Sequence, residues 1–187
     1  MKSIKLGDEV IVSDPCYELP TWCQAVVKDV LPGNYRVDVV KSDQGGWGVR
    51  CSHLIAIHSN YFNKNEKFKW EHYPAEIGVD SGQAGIFSKT SYRKDEVFDG
   101  QTPNFDYVPW KEDGGEIWYA HMCDRTLGKD QWGTYSEGVV SSSGIGDGGY
   151  YLLVAKKNNK IIGLIINFLL DNRSIKKVVN DEILSQL

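Results

Sequence analysis

Two apolar runs, Tyr150 to Lys156 and Ile161 to Leu170, flank the pair Asn158-Asn159, and nothing else in the chain restricts its fold as strongly. Asparagine tolerates the left-handed backbone of a tight two-residue turn, so the segment reads as a β-hairpin. Both faces of that hairpin are apolar, which places it at the centre of a sheet rather than at its edge. The remaining sequence supports a β-rich chain. Aromatic residues make up 12% of it and there are 19 glycines, a pairing that suits short strands packed by rings and joined by tight turns.

Val10 to Ser13 reads as a short strand ending at Asp14-Pro15, because the residue before proline is held extended. Trp22 to Leu31, the turn signal Pro32-Gly33-Asn34 and the alternating run Tyr35 to Val40 together predict a second hairpin. Gly45-Gly46 interrupts the chain before Trp47 to Cys51, and Leu54 to His58 follows as a short strand. Asn60 to Pro74 reads as a connection. Ile77 to Asp80 and Ala84 to Ser88 are expected to pair across Ser81-Gly82-Gln83. Lys89 to Gly115 is a long excursion with one helical turn near Tyr92 to Phe98, a length that often carries function. Glu116 to Cys123 and Thr134 to Ser141 read as strands, and Ser174 caps a short helix through Leu184.

The expected fold class is therefore mainly β (α+β): a mixed, mostly antiparallel sheet or partly closed barrel with a short C-terminal helix. Residues 1–60 form a small β meander and residues 61–187 the main domain, the two together making one unit.

Charge and composition narrow the function classes. The formal net charge is -4, against the basic stripe of a general nucleic-acid binder. The start of the chain turns acidic before any apolar stretch develops, and the longest apolar run is far short of the ~20 residues that cross a bilayer. The expectation is a cytoplasmic protein without membrane contact, its cysteines Cys16, Cys23, Cys51 and Cys123 reduced. The histidines and cysteines lack metal-ligand spacing, so no metal or cofactor is expected.

Three aspartate loops hold the candidate site. Gly144-Ile145-Gly146-Asp147-Gly148-Gly149 matches G-x-G-x-x-G in letters, but strand residues from Tyr150 follow where a dinucleotide site requires a helix. It reads as a glycine turn, or as a loop whose amides and Asp147 carboxylate face a ligand. Gly78-Val79-Asp80-Ser81-Gly82 and Asp14-Pro15 read as aspartate-stabilised turns or as polar anchors. A thiol nucleophile at Cys123, next to His121 and Asp124, is a minor alternative.

These blocks, in this order, resemble an uncharacterised family of bacterial and phage proteins known as a domain of unknown function. The resemblance covers mainly residues 77–170, with Val-Asp-x-Gly and Gly-Asp-Gly-x-Tyr blocks that precede strands. Ser81 stands where the family has alanine, and Asn167 where it has aspartate before Phe168. The resemblance implies no established activity. Its phage association suggests sequestration of a host immune nucleotide signal, with rings stacking bases and loop amides holding phosphates.

The sequence thus favours non-catalytic binding of a small polar or nucleotide-type ligand. Asp14, Asp80, Ser81, Gly144, Gly146, Asp147, Gly148 and Tyr150 form the expected site, with Trp47 and Trp118 as walls and Arg50, Arg93 and Arg125 as candidate phosphate partners. The rival classes are a hydrolase using Asp80 and Asp147 as paired carboxylates, and a protein-interaction module. A homo-oligomer is the default expectation for a soluble chain.

Overall fold

In the computed structural model, which describes residues 2–16, 21–42, 50–62, 68–105 and 114–168, β-branched and aromatic runs pair into two antiparallel sheets. The strands in chain order are β1 (Lys2–Leu6), β2 (Val10–Ser13), β3 (Gln24–Val27), β4 (Gly33–Ser42), β5 (Arg50–His58), β6 (Trp70–Val79), β7 (Gln83–Ser88), β8 (Trp132–Tyr135), β9 (Gly138–Ser142), β10 (Gly148–Lys157) and β11 (Lys160–Asn167). Two helices, α1 (Ser59–Phe62) and α2 (Glu116–Thr126), and 3-10 turns at Thr21–Cys23 and Asp95–Phe98 complete the described elements. One sheet runs β1-β4-β5-β11-β10-β6 and the other β3-β2-β7-β9-β8.

The Asn158-Asn159 hairpin forms as its sequence predicts. Both asparagines have positive φ (51° and 62°), and β10 and β11 lie inside the six-stranded sheet. Inward side chains of both sheets, among them Val12, Leu54, Ile77, Ile86, Leu152 and Leu164, meet in one core. Each such side chain, once buried, contributes roughly 1.5–3 kcal/mol. The outward face of the six-stranded sheet is apolar too: Ile55, Ile57, Leu153 and Ile165 pack under Phe62 of α1. On the outer face of the other sheet, Phe87, Tyr135 and Val140 pack against Phe98 and against Trp118 and Met122 of α2.

Several local expectations give way. Glu116 to Cys123 is helix, not strand: Gly115 enters it at φ 77°, Asp95 accepts the Trp118 N–H at 2.8 Å, and Trp118, Met122 and Thr126 form one buried stripe. The expected hairpin of Trp22–Leu31 with Tyr35–Val40 does not form, because β3 pairs with β2 while β4 pairs with β1 and β5. Ile77–Asp80 and Ala84–Ser88 likewise belong to opposite sheets, so their turn is a crossing.

Thr134 to Ser141 is split at Ser136-Glu137 into β8 and β9, and Trp70 to Pro74 is part of β6 rather than a connection. The strands of the first 60 residues are shared between the sheets: β1, β4 and β5 in one, β2 and β3 in the other. No barrel closes. Links between the sheet edges include Tyr73 Oη to the Val26 carbonyl (3.1 Å) and Lys5 N to the Ser136 carbonyl (3.3 Å). The expected C-terminal helix, Ser174 to Leu184, and Trp47 lie outside the described residues.

Candidate functional site

The crossing from β6 to β7 is a turn that must be held in place, and Asp14 holds it. Its side chain leaves the end of β2 fully buried, 0% exposed. Oδ1 accepts from Cys16 N (2.8 Å) and Ser81 Oγ (2.6 Å), and Oδ2 from Asp80 N (2.8 Å) and Ser81 N (2.7 Å). A buried carboxylate is tolerated when donors surround it in this way. The Cys16 bond closes an Asx-type turn over Pro15, while the other three fasten that turn to the Asp80-Ser81 turn.

A second aspartate brings in the third loop. Asp147 Oδ1 accepts the Gly82 N–H at 3.0 Å, and Gly82 O accepts from Ser143 N at 2.8 Å. Within that loop, Ser143 Oγ and the Tyr150 hydroxyl both donate to the Gly146 carbonyl. Gly146 (φ 118°) and Gly148 (φ 149°) occupy backbone conformations that side chains disfavour. Gly144 is buried where a Cβ would strike the Cys51 carbonyl and Phe168. Asp14, Asp80, Ser81, Gly144, Gly146, Asp147, Gly148 and Tyr150 therefore converge at one end of the two sheets.

Trp118 stands apart from this surface. It is 0% exposed, in edge contact with Phe87 and Tyr92. It acts on the site through Tyr92, whose hydroxyl donates to the Asp14 carbonyl at 3.1 Å. Arg93 is a structural clamp: its guanidinium donates to the carbonyls of Pro15, Cys16 and Gly114. Arg125 similarly donates to the carbonyls of His121 and Thr134. The side chain of Arg50 lies outside the described residues.

The thiols near the loops are held protonated. Burial pushes the Cys23 thiol up to about 11 and raises those of Cys16 and Cys123. Cys123 Sγ receives a long contact from Gln83 Nε2, 3.6 Å, and lies on a helix rather than beside His121 on a strand face. A neutral thiol is a poor nucleophile. Among the described residues no group of three or more His, Cys, Asp or Glu is placed to hold a metal ion, and no helix is long and apolar enough to cross a membrane.

An open groove of about 460 Å3 lies along β6 beside Tyr151 of β10, lined by His72, Tyr73, Pro74, Ala75, Glu76 and Tyr151. It exists because the β6–β10 ladder is broken there: Tyr151 pairs with Glu76 and Leu153 with His72, leaving Tyr73, Pro74 and Ala75 opposite Leu152 alone. Proline within the strand supplies no ladder donor, and the extra residues bow the chain outward. His72 and Tyr151 meet edge to face at 5.3 Å. Toward the aspartate loops Gly78 and Gly149 pair, Gly149 exposed and Gly78 buried. Trp22, 59% exposed, lies over Gly78, and the Glu76 carboxylate lies beside Gly149.

The sequence reading missed this groove and Trp22. Pro74 inside an aromatic, β-prone stretch was the available signal. Comparison with family models, curated proteins and solved structures finds no match for this chain.

Proposed function

We propose that the chain is a non-catalytic binding domain for a small polar ligand, received in the groove along β6 and Tyr151, near the three aspartate loops. The observation that carries this reading is the division of labour between the two regions. Asp14 is enclosed by four donors and braces the loops, while the adjoining groove presents a carboxylate and rings to solvent. Small-ligand sites combine apolar and aromatic walls with a few placed polar groups, and this groove supplies both kinds of lining.

The hydrolase reading draws less support. Asp147 has one oxygen engaged by Gly82 N, and the neighbouring thiols are protonated. Sequestration of a nucleotide signal keeps the support of the exposed rings, which can stack on bases. Its phosphates lack a partner in the groove, whose lining contains Glu76 and neither Arg nor Lys.

The test is a thermal-shift screen of the purified chain against nucleotides, sugars, amines and divalent metals, followed by chromatography of each ligand that shifts the transition. A ligand that binds only the native state raises its stability by mass action. Stabilisation with the ligand recovered intact supports the binding reading. Conversion of the ligand overturns it in favour of an enzyme.

A further inference from the structure

Tyr151 is the ring that ties the groove to the body of the sheet. Tyr150, Leu152 and Val154 face the core, so Tyr151 points to the other face of β10. There the ladder sets it between Asn167 of β11 and Glu76 of β6, with His53 of β5 beyond Asn167. Asn167 and His53 are buried, as is Leu153 two positions along β10, whereas His72, Pro74 and Glu76 are exposed. The half-buried ring therefore stands at the border of a buried face, with cross-strand neighbours behind it and the groove in front. On the groove side it meets the His72 ring edge to face, 5.3 Å between centroids.

This lining excludes most charged ligands and most flat ones. It contains neither Lys nor Arg to hold a phosphate or carboxylate group. The His72 and Tyr151 rings touch each other at 79°, which leaves no gap between them for an ammonium group and no parallel slot for a base. An ammonium group on Glu76 alone would stay hydrated in an open groove, where such pairs are weak. What remains is one ring as a platform and one carboxylate that only accepts hydrogen bonds. A pyranose with equatorial hydroxyls matches both. Its axial C–H groups form an apolar face that packs on a ring, and its hydroxyls donate to a carboxylate in charge-assisted bonds. Its outer hydroxyls stay in water, as an open groove permits. The volume, about 460 Å3, is that of a small-ligand site.

We propose that this groove binds a neutral pyranoside, one sugar ring stacked on Tyr151 and two of its hydroxyls donating to Glu76. The inference rests on the binding function proposed above and names its ligand class.

Titration calorimetry of the full chain with cellobiose, maltose and lactose tests it, alongside choline and guanosine. At least one disaccharide is expected to bind, and Tyr151→Leu and Glu76→Ala each to weaken it about fivefold. Glu76→Gln should lose less than Glu76→Ala, because its amide oxygen still accepts. Tyr151→Phe keeps the ring and should bind within about twofold of the parent. The affinity for a neutral ligand should be the same at about 50 and about 500 mM salt. Unchanged melting temperatures show that the fold is retained; should Tyr151→Leu melt lower, the exposed Glu76 pair and Tyr151→Phe decide.

Equal loss in Glu76→Gln and Glu76→Ala, or an affinity that falls with salt, would mean that charge holds the ligand and would overturn the proposal. If no disaccharide binds while choline or guanosine does, the sugar falls and the binding function stands. If none of the five binds, the proposal falls, and the broader screen decides the binding function separately.

Discussion

Asp14 shows how much one side chain can carry at the residue scale. Three of its four bonds reach residues 66 and 67 positions away in the chain, the fourth closes its own turn at Cys16, and without Asp14 these part-buried donors would lose their partner. Asp14→Ala should therefore lower stability by roughly 3 kcal/mol, read as a shift of the urea midpoint. Asp14→Asn should also destabilise, because an amide group would turn an N–H₂ toward N–H donors. An Asn variant as stable as the parent would remove the carboxylate from this bracing role. Gly78 presents the opposite case, a missing side chain. A Cβ there would collide with the Trp22 ring, so Gly78→Ala should cost about 1–3 kcal/mol, and less in a Trp22→Ala background. The Asx turn at Asp14-Pro15 was legible in the sequence, since such turns are local. Its bonds to residues 80 and 81 were not, because nothing in either segment names the other.

Among the elements, legibility follows the distance over which each is decided. The β10–β11 hairpin is fixed by its own two-residue turn and apolar strands, so periodicity finds it. The crossings β3 to β4 and β6 to β7 carry turn residues that resemble hairpin signals, yet the strands they join serve opposite sheets. A turn signal reports that the chain reverses, not which neighbour it finds. Helix α2 fails for another reason. Ile117, Trp118 and Tyr119 favour strands, and the preference is overridden by tertiary packing, with Asp95 capping the helix from a separate turn. Trp118 is the anchor of that packing, enclosed by Phe87, Tyr92 and Tyr135. Trp118→Ala should cost about 3–5 kcal/mol and lower the melting temperature by roughly 10 °C. A variant that melts within a degree or two of the parent would show that α2 docks without it.

At the scale of the whole molecule, apolar residues on both faces of the six-stranded sheet leave little room for charge, and His53 lies within that constraint. It is 2% exposed within β5, opposite Asn167 of β11, and burial pulls its imidazole down to about 4, against a smaller upward pull from the Asn167 hydrogen bond. The unfolded chain takes up that proton near 6.5, whereas the native protein resists it until about 4. Between those values the unfolded state binds more protons, so stability is fully present above pH 6.5 and is lost as pH falls toward 4. The gap corresponds to about 3 kcal/mol. His121, also lowered by burial, acts in the same direction. Glu9 and Glu71 are paired with lysines at the surface and titrate below the ordinary carboxylate value of 4.5, so the upper part of the window belongs to the histidines. Urea midpoints measured at about pH 7.5 and about pH 5 should therefore fall for the parent chain and fall distinctly less for His53→Gln, which has no proton to gain. Parallel losses in the two proteins would mean that His53 charges freely in the native state, and that the sheet tolerates a cation where its packing argues against one.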